Sequence, residues 1–131
     1  MTMSDLTRIE TDQRRSRAVI FNRVVSISGQ VADDRTRDIT GQMQQVLAKI
    51  DKFLAAAGTD KTRLISAQIW VKNLDRDYQG MNAVWDAWTA PGCAPTRVTV
   101  EAKLAAPDIL VEVIATAAMS ANQLKECAVP Q

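Results

Sequence analysis

Two charged side chains stand out in the C-terminal third of the chain. Arg97 follows the rigid loop Ala94-Pro95, at the head of the alternating run Thr96-Arg97-Val98-Thr99-Val100-Glu101. Glu112 sits among Leu110, Val111, Val113 and Ile114, a setting in which an unpaired carboxylate is costly. A guanidinium at a strand start can take a carboxylate bidentately, a contact worth about 1.5–3 kcal/mol. A glutamate in apolar surroundings can act as a general base on water. The segments 96–104 and 109–119 both read as strands joined by a short connection at 105–108, so Arg97 and Glu112 are expected on adjacent strands, facing one pocket. An arginine and a glutamate on neighbouring strands are also the ordinary cross-strand ion pair. The chemical reading requires that they face a shared cavity; on opposite sides of the sheet they could not form it.

The rest of the chain must position these two. Residues 16–22 and 24–28 are rich in Val, Ile and Phe around Asn22-Arg23, the pattern of a hairpin, and 6–10 adds a short strand before it. From Asp38 the period changes. Ile39, Met43, Val46, Leu47, Ile50, Phe53 and Leu54 recur at helical spacing, with Gly58 as the stop. Residues 64–71 alternate as a strand. Residues 75–88 form a second amphipathic helix, with Tyr78, Met81, Val84, Trp85 and Trp88 expected on its buried stripe. The order β-β-β-α-β-α-β-β predicts an α+β fold with two helices on one face of a mixed or antiparallel sheet. The second sheet face also carries apolar residues, which predicts that copies associate through it.

Composition narrows the functions. The 131 residues fit one domain, with a core over about 16–118 and a polar tail over 120–131. Sixteen basic against fifteen acidic residues give a formal net charge of +1, which argues against nucleic acid as the main partner. No run is long and apolar enough for a membrane, and the polar start at 1–13 is no leader, so the cytoplasm is the expected location. The chain has no histidine, which removes Ser-His-Asp and Cys-His catalysis and most transition-metal sites. Neither metal nor cofactor is expected. Cys93, in the loop 90–95, is expected to be an exposed bystander, and Trp70, Trp85 and Trp88 to be core.

Pro95-Thr96-Arg97-Val98-Thr99-Val100, then Leu104 and Val111-Glu112-Val113, resembles the signature segment of the RidA/YjgF reactive-intermediate deaminases. Ser28-Gly29-Gln30 resembles the tripeptide closing that family's hairpin, and Met81-Asn82-Ala83-Val84-Trp85 its second helix. The resemblance spans roughly 16–118. It implies a chorismate-mutase-like fold with a mixed six-stranded sheet, in homotrimers whose sheets enclose a central barrel, with sites at the subunit interfaces. It further implies cofactor-free hydrolysis of enamines and imines to 2-keto acids and ammonia. Arg97 would clamp the substrate carboxylate and Glu112 would hold or deprotonate the attacking water. Ser28, Asn82 and Thr99 would line the pocket. Ser28 is open to a second reading as a turn residue, and Asn82 as a helix-packing one.

Two positions depart from the family pattern. Arg15 stands where a pocket tyrosine is usual, and Thr99 where a cysteine is common. The cluster Arg14, Arg15 and Arg17 reads either as a solvated edge or, at Arg15, as a contact for a second anionic group, which an aminomuconate-like dicarboxylate would offer. Two rival roles stand beside the deaminase: a non-catalytic trimer binding small carboxylates, and an RNA-directed protein.

Overall fold

The computed structural model describes residues 6–120. Six strands form one sheet: β1 (Thr7–Thr11), β2 (Ser16–Phe21), β3 (Val24–Gln30), β4 (Leu64–Val71), β5 (Thr96–Glu101) and β6 (Val111–Ala118). Two helices, α1 (Ile39–Ala56) and α2 (Leu74–Trp88), complete the fold, with a 3-10 turn at Lys61–Arg63. Asn22 and Arg23 both take positive φ, 51° and 67°, so the β2–β3 turn has the left-handed geometry that matches strand twist. The Asp38 carboxylate caps α1 by accepting from the Gly41 amide at 2.9 Å. Gly58 ends that helix at φ 86°, a conformation costly for any residue with a Cβ.

The sheet order is β1-β2-β3-β6-β4-β5. β4 and β5 run parallel and the other neighbours antiparallel, which makes the sheet mixed. This overturns the expectation that the strands bearing Arg97 and Glu112 are neighbours. β4 lies between them. The reason lies in the connections. A strand, a helix and a strand (β4-α2-β5) make a crossover unit, which pairs its two strands in parallel. The chain after β5 then crosses the end of β4, where the Ala102 amide donates to Val71 O and the Lys72 amide to Leu110 O, both at 3.0 Å. β6 is thereby placed on the far side.

Both helices cover one face. Val111, Val113, Ala115 and Ala117 of β6 and Ala67, Ile69 and Val71 of β4 are buried against Met43, Val46, Leu47, Ile50, Phe53 and Leu54 of α1 and Met81 and Trp85 of α2. Tyr78, expected on the buried stripe of α2, is instead 42% exposed. Trp85 is core as expected and Trp88 half-buried at its margin. Trp70 is not core. It pairs with Glu112 on the opposite face, half-buried, its indole N–H donating to Gln68 Oε1 at 3.3 Å. Cys93 is buried and disulfide-bonded rather than an exposed thiol. The polar tail lies, apart from Ser120, outside the described residues.

On β5 the usual alternation is inverted. Val98 and Val100 point to the uncovered face, 49% and 38% exposed, while Arg97 and Thr99 point toward the helices. Burying an exposed valine is worth up to about 1.5–3 kcal/mol, so this face gains from being covered.

Candidate functional site

Register fixes where the two charged groups stand. Arg97 is opposite Ala67, which is opposite Ala115; Glu112 is opposite Trp70, which is opposite Val100. They are two strands apart across the sheet and three residues apart along it, so their Cα atoms are separated by roughly 14 Å. An odd offset puts side chains on opposite faces. Arg97 lies on the helix side and Glu112 on the uncovered side. The expectation that the two residues face one shared cavity from adjacent strands is therefore overturned. Each residue instead anchors a half-site of its own.

The first half-site is an open cleft of about 780 Å³ between α2 and the edge strand β5, lined by Leu74, Tyr78, Gln79, Arg97, Val98 and Thr99 among others. The Arg97 guanidinium lies 5.5 Å from the centroid of the Trp85 ring, a cation–π contact that orients it without using its N–H donors. Among the described residues Arg97 has no ion pair. Thr99 Oγ1 and Asn82 Oδ1 are both buried and lack any hydrogen-bond partner. Buried polar atoms are nearly always partnered, so orphans of this kind mark places for water or ligand. Asn82 is inside α2, so it caps nothing. Trp85 is the part of this half-site that sequence reasoning missed, because a helix tryptophan reads as core whether or not it also carries a cation.

The second half-site forms where β3 bulges. The β3–β6 register shifts between Ile27 and Gln30, which brings Gly29 beneath the Glu112 side chain. A Cβ on Gly29 would stand 2.0 Å from Glu112 Oε2, so only glycine leaves room for the carboxylate. Glu112 makes no ion pair among the described residues. Ser28 Oγ donates to the backbone carbonyl of Ser16 at 2.7 Å. Its proton thus ties β3 to β2, and only its lone pairs remain for a ligand. Arg15 reaches the same place, Nη1 donating to Gly29 O at 3.4 Å. The turn behind it is stapled by Asp12, whose Oδ1 accepts from the Arg14 and Arg15 amides at 2.7 and 3.0 Å. These amide bonds, helped by the Arg17 and Arg15 charges, hold the Asp12 carboxyl below its ordinary pKa. Asp12 carried no functional reading in the sequence, although an Asp that can accept from the amides two and three residues further on is a turn signal.

Among the described residues no group of three His, Cys, Asp or Glu side chains could hold a metal ion. None of their helices is long and apolar enough to cross a membrane.

A mixed six-stranded sheet with two helices on one face is the architecture of a class of small α+β proteins that includes several solved structures. An uncharacterized protein from Pseudomonas aeruginosa matches with a TM-score of 0.86 at 39% identity, over 88% of this chain and 100% of that one. A member of the YjgF protein family from Neisseria meningitidis matches with a TM-score of 0.86 at 40% identity, over 88% and 96%. The chain belongs to the YjgF/RidA family, whose model, described as Endoribonuclease L-PSP, matches residues 6–119. A RutC family protein from Haemophilus ducreyi is 44% identical over 115 residues, 88% of this chain and 97% of the relative. The RutC family protein YoaB from Escherichia coli is 35% identical over 114 residues, 87% and 98%.

Proposed function

We propose that this protein is a hydrolytic deaminase of reactive enamines and imines, working as a homotrimer in which Arg97 of one copy meets Glu112 of the next. The observation that carries this reading is the state of the two residues within one chain. An unpaired guanidinium braced on Trp85, with the unpartnered Thr99 hydroxyl in its cleft, and an unpaired carboxylate cradled on Gly29 lie on opposite faces. The unused Arg97 donors and the unpaired Glu112 carboxylate add nothing to the stability of a lone chain, and a site made by two copies would use both. The uncovered side of β5, where Val98 and Val100 are exposed, supports association. So does the family resemblance.

In the reaction, Arg97 holds the carboxylate of a 2-imino acid, with Thr99 and Asn82 beside it. An enamine substrate first takes a proton at its β-carbon and becomes the imine. Glu112 removes a proton from water as the oxygen bonds to the carbon of the imine, which reacts protonated at nitrogen, and the C=N π electrons become the nitrogen lone pair. The protonated carboxyl passes its proton to that nitrogen; as the C–N bond breaks, the hydroxyl proton returns to Glu112 and from there to solvent, and 2-keto acid and ammonia leave. General base catalysis contributes typically 10²–10⁴-fold, and fixing water against an electrophilic carbon adds the effect of proximity. The chemistry requires neither metal nor cofactor.

The test is complementation. Arg97→Ala and Glu112→Gln should each lose at least 10²-fold in keto-acid release from 2-iminopropionate generated by an amino-acid oxidase. Unfolded together and refolded as a mixture, they should regain up to about a quarter of wild-type activity, the share of interfaces that combine one intact Arg97 with one intact Glu112. No recovery on mixing rules out the composite site. A wild-type protein that binds keto acids but speeds no imine hydrolysis is instead a carboxylate-binding regulator. The family description carries the word endoribonuclease; the balanced charge and lack of histidine count against that activity here.

A further inference from the structure

Arg15 shares its one nearby carboxylate, Asp12, with a second arginine, Arg17, so its charge is not fully neutralised. Arg14, Arg15 and Arg17 gather around the β1–β2 turn with the Asp12 carboxylate at its centre. One Asp12 oxygen is taken by two backbone amides, and the other lies 3.7 Å from Arg17 Nη1. Glu10, the next acid along, is directed to Lys52 at 3.9 Å. Arg15 forms no ion pair among the described residues; its side chain instead crosses to Gly29 O. The stapled turn fixes the direction of that crossing, which lowers the entropy lost when the guanidinium is engaged.

Gly29 is also the residue against which the Glu112 carboxylate rests. Arg15 Nη1 and Glu112 Oε2 are thus within roughly 9 Å of each other by backbone dimensions, yet too far apart to pair. A cation fixed at that distance from the base, and not neutralised by it, leaves room for an anion beside the reacting carbon. We infer that Arg15 binds a second carboxylate, so that the substrates are imines or enamines of dicarboxylic acids, with one carboxylate on Arg97 and the other on Arg15. This rests on the composite deaminase reading and names its substrate class. A planar, always-charged fork suits a carboxylate, and a monocarboxylate imine would leave the remaining Arg15 donors without an anionic partner.

Two measurements test it on the full chain. The first compares kcat/KM for 2-iminosuccinate, made from L-aspartate by aspartate oxidase, and for 2-iminopropionate, made from L-alanine. Wild type should favour the dicarboxylate by at least tenfold. Arg15→Gln should reduce that ratio by roughly ten- to a hundredfold, the worth of one charge-assisted contact, and Arg15→Lys should restore part of it. The second is calorimetric binding of oxaloacetate and of pyruvate to wild type and Arg15→Gln. If Arg15→Gln slows both imines alike, or wild type has no preference between them, the inference about Arg15 is overturned while the deaminase reading stands. If neither imine is accelerated but oxaloacetate binds more tightly through Arg15, the deaminase reading falls and the Arg15 site stands. Absence of both turnover and binding preference ends both.

Discussion

Replacing Gly29 by alanine moves the Glu112 carboxylate without removing it. The added Cβ would stand 2.0 Å from Oε2, 2.9 Å from Cδ and 3.2 Å from Cγ of Glu112. Ordinary contact between such atoms begins near 3.4 Å, so the carboxylate oxygen must retreat by about 1.4 Å. Gly29 does not have positive φ, which leaves the backbone able to accept alanine without strain. A base misplaced by about an ångström costs on the order of 10² in rate. Gly29→Ala should therefore lower kcat for imine hydrolysis about 10²-fold, with KM changed little because the carboxylate-holding Arg97 comes from the neighbouring copy and is untouched. Unfolding stability should change by no more than about 1 kcal/mol. The assay is initial-rate keto-acid release, with urea denaturation on the same preparation. In a Glu112→Gln background the alanine should cost almost nothing further, since both changes disable one group. Wild-type kcat in Gly29→Ala, or fully additive losses in the double variant, would refute the reasoning that Gly29 exists to seat Glu112.

Two further outcomes are expected. Gln42 is fully buried, its Nε2 donating to the carbonyls of Arg35, Arg37 and Asp108 and its Oε1 accepting from the Leu110 amide at 3.0 Å. It pins two loops at the entry to β6. Gln42→Leu strands these groups and should cost roughly 3–5 kcal/mol in urea unfolding, and a loss under 1 kcal/mol would show that water replaces it. Val98→Glu places a charge on the exposed apolar edge of the uncovered face, so sedimentation should show smaller species than wild type while circular dichroism is unchanged. Unaltered assembly in that variant would move the interface elsewhere.

Much of this protein was legible in its residues because the relevant physics is local. The apolar period from Ile39 to Leu54, the Asp38 cap and the Gly58 stop define α1, and the alternation in 64–71 defines β4, whatever they later pack against. Residue types likewise singled out Arg97 and Glu112, since an arginine after a proline loop and a carboxylate among valines and isoleucines are unusual in any fold. The partnering of strands was not local. Two strands joined by a short connection pair more often than not, yet here the parallel crossover through α2 seats β4 between β5 and β6. That insertion separates Arg97 and Glu112 by two strands, and the odd register offset across β4 puts them on opposite faces. The fold alone likewise decides that Trp85 carries the Arg97 charge and that a bulge brings Gly29 and Arg15 to Glu112. These contacts join residues far apart in sequence, and their geometry depends on sheet order and register, which no periodicity within one segment encodes.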